Sequence, residues 1–377
     1  MSSRIKVVFF IDSFRVGGMH RQVYLIVKNL NITKFEPIII SQSQYGGFKD
    51  EFLNLGFKTY NLGWKSRYSF FLILYRFIKI LRSEKPENIF ITQVPNFIYF
   101  LIAKFFLSFQ IKLIGSFRAL NFWIGYKGKI YAFIEVYIAK VFYNSCDYIT
   151  ANSKALVNHY NSVLDVKINK PILCVYNGFD FEINDFKSTK SELFGKYKDD
   201  FIVIMAARLD PMKDFDTFIK AAYIVCAKNT KIKFFLLGDG ILMDPLKNTI
   251  NNMGLQDSIF LLGEVSNASE YIRFANISVL STFGEGLSNT ILESMFLGIP
   301  CIATKVGGNI ELLNDKRGIL VNERDEFSLA DAILLLFKEN TLRKILSQNA
   351  KIYLTNNFAI APMVNEYEIL FSTVSKI

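Results

Sequence analysis

Residues 201–213 read Phe-Ile-Val-Ile-Met-Ala-Ala-Arg-Leu-Asp-Pro-Met-Lys. Phe201 to Ala206 is an unbroken apolar run, Arg208 to Lys213 is a polar loop punctuated by Pro211, and residues 216–227 carry apolar side chains at helical spacing. Strand, short loop and helix in that order are the first half of a βαβ unit. The rhythm continues downstream through strand 231–237, helix 242–253, strand 258–262, helix 268–275, strand 277–281, helix 289–297, strands 300–304 and 318–321, and helix 328–338. Upstream it runs through strands 6–11, 36–41, 88–93, 111–116, 148–151 and 173–176, with helices near 20–30, 49–55, 97–109 and 129–143. Residues 179–200 turn polar and lose their period, which marks a linker. The expectation is an α/β protein of two doubly wound, Rossmann-like domains facing a cleft. Ligands of such sheets sit outside the carboxyl ends of the strands, so the loops after the strands are where chemistry is expected.

The 377 residues are 51% hydrophobic and 21% charged, which excludes a disordered chain, a collagen and a small disulfide scaffold. A net charge of +10 is unevenly spread: 23 Lys and Arg against 9 Asp and Glu up to Val175, then 21 against 25. A basic half suits nucleic acid, an anionic membrane surface or a phosphorylated substrate, and charge alone does not choose among them. Cys146, Cys174, Cys226 and Cys301 are scattered, without a CxxC pair, so neither zinc nor a disulfide framework is expected and a reducing cytosol fits. The apolar run 7–11 is too short for a signal peptide and reads as a first buried strand. The run 97–109 is broken by Lys104 and falls short of the roughly 18 to 20 residues that cross a bilayer. Residues 64–81 interleave Lys65, Arg67, Arg76 and Lys79 with Tyr68, Phe70, Phe71, Leu72, Leu74, Tyr75, Phe77 and Ile78. That pattern suits a helix lying on a membrane surface, or a helix packed on the sheet with snorkelling cations.

Four loops carry chemistry. In Phe283-Gly284-Glu285-Gly286-Leu287-Ser288-Asn289-Thr290, a strand gives way to a helix with Ser288 or Asn289 as its cap. Free backbone N–H groups at that helix start, with Gly286 allowing close approach, suit a diphosphate. Glu285 and Glu293 are potential hydroxyl acceptors, although two Glu eight apart also describe a plain solvated face. Arg208 and Lys213 stand at a strand's carboxyl end, where cations neutralise charge developing on a diphosphate leaving group. Asp214 and Asp216 mimic a metal-binding DxD but fall at a helix start, where carboxylates favour the dipole. Arg15-Val16-Gly17-Gly18-Met19-His20 is half of a phosphate-binding fingerprint, and Val306-Gly307-Gly308-Asn309-Ile310-Glu311 is a second glycine pair that reads as a turn or an amide cradle.

As a set and in this order, these motifs resemble the family-4 group of retaining glycosyltransferases with the GT-B fold, of the bacterial surface-glycan type. They are Gly17-Gly18, Asn177-Gly178, Arg208 with Lys213, Gly238-Asp239-Gly240, Glu285 with Glu293, and Gly307-Gly308 with Glu311. The resemblance implies an acceptor-binding domain over residues 1–180, joined by a C-terminal helix at about 362–377, and a nucleotide-sugar-binding domain over 181–361. It implies that Glu293 binds ribose hydroxyls, Glu285 the donor sugar, and Arg208 with Lys213 the diphosphate, Arg208, Lys213 and Glu285 being catalytic. Backbone at Gly286, Leu287, Ser288, Asn289 and Thr290, and at Gly17 and Gly18, would add amides, and the segment around Gly263 would hold the base. The implied donor is a nucleotide-linked hexose or N-acetylhexosamine, with UDP favoured. The acceptor would be a lipid-linked saccharide or glycan of capsule, O-antigen or similar assembly. No cofactor, metal or nucleic-acid partner is implied; a peripheral protein on the anionic inner face of the cytoplasmic membrane is. One departure stands out. Many members of that group carry a His after the strand that corresponds to 111–116, whereas this chain reads Ser116-Phe117-Arg118, which makes Arg118 and His20 the candidates on the acceptor and sugar side.

The residues also bear on other classes. A GT-B epimerase would need more titratable groups than 2 His and these few Glu provide, and a phosphorylase would need inorganic phosphate as a substrate. A non-enzymatic RNA- or membrane-binding module is opposed by the presence together of Arg208, Lys213, Glu285 and Glu293.

Overall fold

A computed structural model describes residues 4–15, 17–65, 67–118, 128–164, 170–181, 194–265 and 267–374. Most of the expected linker, Val16 of the first glycine loop and the last three residues lie outside these. The chain divides into two compact units. The first takes the chain up to Arg118, then Phe133–Gly178 and everything from Ile360; the second is chiefly Phe179–Ala359.

The first unit is built on β1 (Ile5–Ile11), β2 (Phe35–Ser41), β3 (Lys58–Asn61), β4 (Asn88–Ile91), β5 (Lys112–Phe117), β6 (Tyr148–Ala151) and β7 (Ile172–Cys174). Their order is β3-β2-β1-β4-β5-β6-β7 and every pair is parallel. A parallel sheet needs a crossover between successive strands, and the crossover helices cover both faces, which is why β1 and β4 are apolar on both sides rather than alternating. The order reverses between β1 and β4, so the loops after these two strands diverge and leave a crevice.

The last helix, Ile360–Val374, belongs to this unit. Met363, Val364, Tyr367, Leu370 and Phe371 recur at one-face helical spacing and are buried against the sheet. The Phe371 ring meets Phe9 at 5.9 Å and Phe35 at 6.1 Å, and Tyr367 meets Phe90 at 5.3 Å. The segment leaving the unit is held beside it. The Gln22 side-chain amide donates to Gly178 O at 2.9 Å and accepts from Gly178 N at 3.0 Å.

The second unit repeats the plan with β8 (Phe201–Ala206), β9 (Ile232–Leu237), β10 (Ile259–Leu261), β11 (Ile277–Leu280), β12 (Cys301–Thr304) and β13 (Ile319–Val321). The order is β10-β9-β8-β11-β12-β13, again parallel throughout, with the reversal between β8 and β11. Four elements go beyond the sequence reading. They are β3 and the helices Lys154–Leu164, Gly307–Leu313 and Asn340–Asn357. The glycine pair Gly307-Gly308 therefore opens a short helix rather than a plain turn. The basic amphipathic helix starts later than its pattern suggests, as Phe70–Glu84 preceded by a 3-10 turn at Arg67–Ser69.

Because Phe371 fills the centre of the first unit's core, Phe371→Ala is expected to destabilise that unit by about 3–5 kcal/mol. Urea unfolding followed by circular dichroism measures it; a loss below about 1 kcal/mol would mean that the last helix is not part of that core.

Candidate functional site

In the second unit the loops after β8, β11 and β12 are tied together at their roots. Thr304 Oγ1 donates to Thr282 O at 2.7 Å and accepts from Thr282 N at 3.0 Å. Thr282 Oγ1 in turn donates to Met212 O at 3.0 Å, and Phe283 N reaches the same carbonyl at 3.0 Å. These bonds bring Lys213 and Glu285, 72 residues apart, into an ion pair between Nζ and Oε2 with both side chains under a fifth exposed. Arg208 behaves differently. Its side chain is 76% exposed and its Nε donates to Asp210 Oδ2 at 2.5 Å, so it stands at the mouth of the loop, tethered only to a neighbour.

The helix Asn289–Phe296 rises from the same place. Ser288 is its cap, with Oγ accepting from Ile291 N at 3.3 Å, so Asn289 is the first helical residue. Thr290 Oγ1 donates to Ala206 O at 3.0 Å and pins the helix start to the end of β8. Leu287 is buried beneath the loop, and Glu293 is buried one turn into the helix. Gly308 N donates to Gly286 O at 2.9 Å, and a Cβ at Gly308 would lie 2.0 Å from that oxygen. Only glycine permits the approach. On the other side of β8, Gly238 adopts φ +132 and a Cβ there would lie 2.0 Å from Ala207 O. Gly238 N donates to Gly263 O at 2.8 Å, which joins the loop after β10 to the same rim.

Both carboxylates of the DxD-like pair have structural partners. Asp214 caps the helix Phe215–Lys228 and accepts from Thr217 N at 3.2 Å and Thr217 Oγ1 at 2.7 Å, while Asp216 pairs with Lys220 at 2.7 Å. Among the described residues, no group of three His, Cys, Asp or Glu could hold a metal ion. Cys301 in β12 is buried, and burial pushes its thiol up to about 12, so it serves as a small apolar residue and not as a nucleophile.

The remaining candidates lie in the first unit. Gly17 caps the helix Gly18–Asn29 in an extended conformation. His20, buried in that helix, meets Asp12 Oδ1 through Nε2 at 2.7 Å, the imidazole donating to the carboxylate. Asp12 directly follows β1, and its backbone N–H donates to Gln93 Oε1 from the loop after β4, so the pair stands at the strand reversal of this sheet. Sequence reading passed over Asp12, although an acid at the end of a buried strand is itself a signal. Burial would raise its carboxyl, but the His20 hydrogen bond and charge, with Gln93 and Arg15, outweigh that and hold it below the usual carboxylate range. Arg118 is a three-way tie: Nε donates to Ser116 Oγ at 3.1 Å, Nη1 to Asn177 Oδ1 at 2.7 Å and Nη2 to Tyr367 Oη at 2.9 Å. It joins the end of β5, the exit segment and the last helix.

Two family models match the chain in succession, "Glycosyltransferase Family 4" over residues 16–183 and "Glycosyl transferases group 1" over residues 186–353. The chain belongs to glycosyltransferase family 4. An uncharacterised glycosyltransferase of Methanocaldococcus jannaschii is 29% identical over 253 residues, 65% of this chain and 63% of that protein. An Escherichia coli UDP-Gal:alpha-D-GlcNAc-diphosphoundecaprenol alpha-1,3-galactosyltransferase is 30% identical over 209 residues, 53% of this chain and 54% of that one. The matched stretches thus span less than two thirds of these relatives. Among solved structures, that of Anabaena HepE in complex with UDP-glucose superposes with a TM-score of 0.82 at 17% identity, covering 98% of this glycosyltransferase and 100% of that chain. With the two parallel-sheet units, this makes the fold the two-domain α/β GT-B fold.

A carboxyl depressed on folding adds stability that is complete above its unfolded value, near 3.9, and is lost as pH falls through the lower folded value. Asp12→Asn in this glycosyltransferase is therefore expected to separate the two urea midpoints most at neutral pH and least at about pH 3. A gap independent of pH would show that the Asp12–His20 bond is not its source.

Proposed function

We propose that the chain transfers a hexose or N-acetylhexosamine from a nucleotide sugar to a lipid-linked saccharide or glycan, in the assembly of capsule, O-antigen or a similar surface polysaccharide. The observation that carries the reading is the grouping at the β8/β11 reversal. A lysine and a glutamate are already paired there, beside a capped helix start, with a second glutamate buried one turn into the helix. When a donor enters, the diphosphate takes Lys213 and draws in the exposed Arg208. The backbone N–H groups from Leu287 to Thr290 face the phosphates at the helix start, where the dipole favours an anion. Glu285, released from Lys213, accepts from the donor sugar's hydroxyls, Glu293 accepts from the ribose, and the rim at Gly263 takes the base. The galactosyltransferase relative is named for UDP-Gal and a diphosphoundecaprenol-linked acceptor, and the HepE structure holds UDP-glucose; both support a UDP donor.

In the reaction the bond between the anomeric carbon and the diphosphate oxygen breaks, and the acceptor oxygen bonds to that carbon on the same face, so the configuration is retained. The acceptor's proton passes to the departing diphosphate. Lys213 and Arg208 stabilise the charge that develops there, the part a divalent metal plays in other phosphate-transfer sites. The first unit takes the acceptor, with the Asp12–His20 pair at its own strand reversal the group we assign to acceptor hydroxyls. No helix among the described residues is long and apolar enough to cross a membrane. We place the protein on the cytoplasmic side, peripheral to the membrane that holds the acceptor.

The donor reading is tested by thermal shift and donor hydrolysis with UDP-, GDP- and ADP-sugars, with and without EDTA. A hundredfold excess over Kd of the right donor is expected to stabilise by about 2.7 kcal/mol, unchanged by EDTA and lost in Glu293→Ala. Lys213→Ala and Arg208→Ala are expected to lower kcat by roughly 100- to 1,000-fold. A normal kcat in either, or no stabilisation by any nucleotide sugar, contradicts the proposal.

A further inference from the structure

We infer that Tyr45 and Trp64, with Arg15 and Asp12 beside them, form a stacking surface for sugar rings of the acceptor, and that the acceptor therefore carries at least two pyranose residues. The inference rests on the saccharide acceptor proposed above and names what recognises it. The surface is built by the loops after β1, β2 and β3, at the carboxyl edge of the first unit's sheet. Phe14 N–H donates to Tyr45 O at 2.8 Å, Phe48 N–H to Phe14 O at 2.9 Å and Ser43 N–H to Asp12 O at 3.0 Å, so the loop after β2 is strapped along the loop after β1. The strap needs a glycine: Gly46 adopts φ +131, and a Cβ there would lie 2.0 Å from the Phe14 carbonyl. Phe14 itself is buried, its ring 5.5 Å from that of Phe52. Tyr45, by contrast, is 66% exposed, with the Arg15 guanidinium 5.7 Å from its ring centroid. Trp64 stands one strand further out. Its backbone N–H donates to Gln42 O at 2.7 Å, which carries the β2/β3 pairing past the end of β3, and the residue is 45% exposed.

Single exposed rings are ordinary on a protein surface. These two differ in being carried by backbone that is bonded to the rim of the sheet, and a ring on a fixed support loses little conformational freedom when a ligand lies on it. A pyranose presents a face of C–H bonds, which suits the electron-rich face of an aromatic ring, and a belt of hydroxyls that need partners. The rim supplies both. Asp12, at the root of the strap, has Oδ1 on His20 and keeps a side chain 32% exposed, so its carboxylate is open to a sugar hydroxyl. Arg15 and Gln44, both exposed, add donors. Charges of both signs beside two rings fit a neutral polyhydroxyl ligand. A lipid phosphate would meet the Asp12 carboxylate, and a fatty chain would strip water from Asp12 and Arg15 and give nothing back. Two rings on neighbouring loops offer places for two successive sugars. The transfer catalysed here then follows at least one earlier glycosyl transfer onto the same acceptor.

The test is saturation-transfer NMR on the full-length protein with the methyl glycosides of glucose, galactose, N-acetylglucosamine and N-acetylgalactosamine, and with lactose and N,N'-diacetylchitobiose. Expected is transfer to the C–H protons of one pyranose face, stronger for a disaccharide than for any monosaccharide. Tyr45→Ala/Trp64→Ala should lower it at least fivefold with the melting temperature unchanged, and Tyr45→Phe/Trp64→Phe should keep it within about twofold. Tyr223→Ala, which removes an exposed ring of the second unit, should bind like wild type. No transfer to any of these sugars, monosaccharides bound as well as disaccharides, or full binding by the double alanine variant would overturn the assignment. A protein that ignores these sugars yet is stabilised by a nucleotide sugar would discard this surface and leave the donor site standing; one that binds them through Tyr45 and Trp64 without responding to any nucleotide sugar would do the reverse.

Discussion

The amide of Gly308 donates to the carbonyl of Gly286 across a gap that no side chain could enter. The arrangement of the second unit's site follows from that approach. It lays the chain after β12 against the loop after β11, while the Thr282–Thr304 pair clamps the two strand ends and Thr282 carries the clamp on to Met212 in the loop after β8. Glu285 and Lys213 then have little choice but to meet. Each relieves the other of an unpaired charge in a place that water reaches poorly, and in the proposed function a diphosphate sugar replaces that pairing. Pre-organisation of this kind lowers the cost of binding because the loops are in place before the ligand arrives.

The first unit uses the same topology for a different end. Its strand reversal is occupied by a carboxylate and an imidazole rather than a lysine and glutamates, and its glycine pair opens a long helix instead of covering a neighbouring loop. Its integrity depends on a segment far away in sequence. The last helix closes the core over Phe9, Phe35 and Phe90, and Arg118 fastens that helix to the end of β5 through Tyr367. Arg118 thus has a structural task, with a second N–H left on each terminal nitrogen.

Much of this was legible in the sequence because parallel strands are buried on both faces and read as solid apolar runs, as in Phe201–Ala206. The loops holding Arg208, Lys213 and Glu285 could be singled out because they directly follow such runs, whereas the Lys213–Glu285 pairing, 72 residues apart, was not foreseen. What escaped reading did so for physical reasons. β3, Lys58–Asn61, is a short polar edge strand with no fully buried residue. The helix Asn340–Asn357 buries only Leu346, Ala350 and Leu354, a stripe too thin to stand out among its polar residues. The helix Gly307–Leu313 begins with two residues that disfavour helix, and position 308 must be glycine because it approaches Gly286 too closely for a side chain. Arg118 was a candidate, but its ties to Asn177 and Tyr367, like that of Asp12 to Gln93, join residues far apart in the chain, and no local pattern encodes such pairs.

In the proposed function the Lys213–Glu285 pair keeps the place of a nucleotide sugar. The most direct measurement is a crystal structure of the full chain with the nucleotide sugar that stabilises it best. Expected are Lys213 Nζ on a diphosphate oxygen, Glu285 on a sugar hydroxyl, and the phosphates at the start of the helix Asn289–Phe296. A nucleotide bound elsewhere, or one bound here with Lys213 still on Glu285 and away from the phosphates, would contradict it.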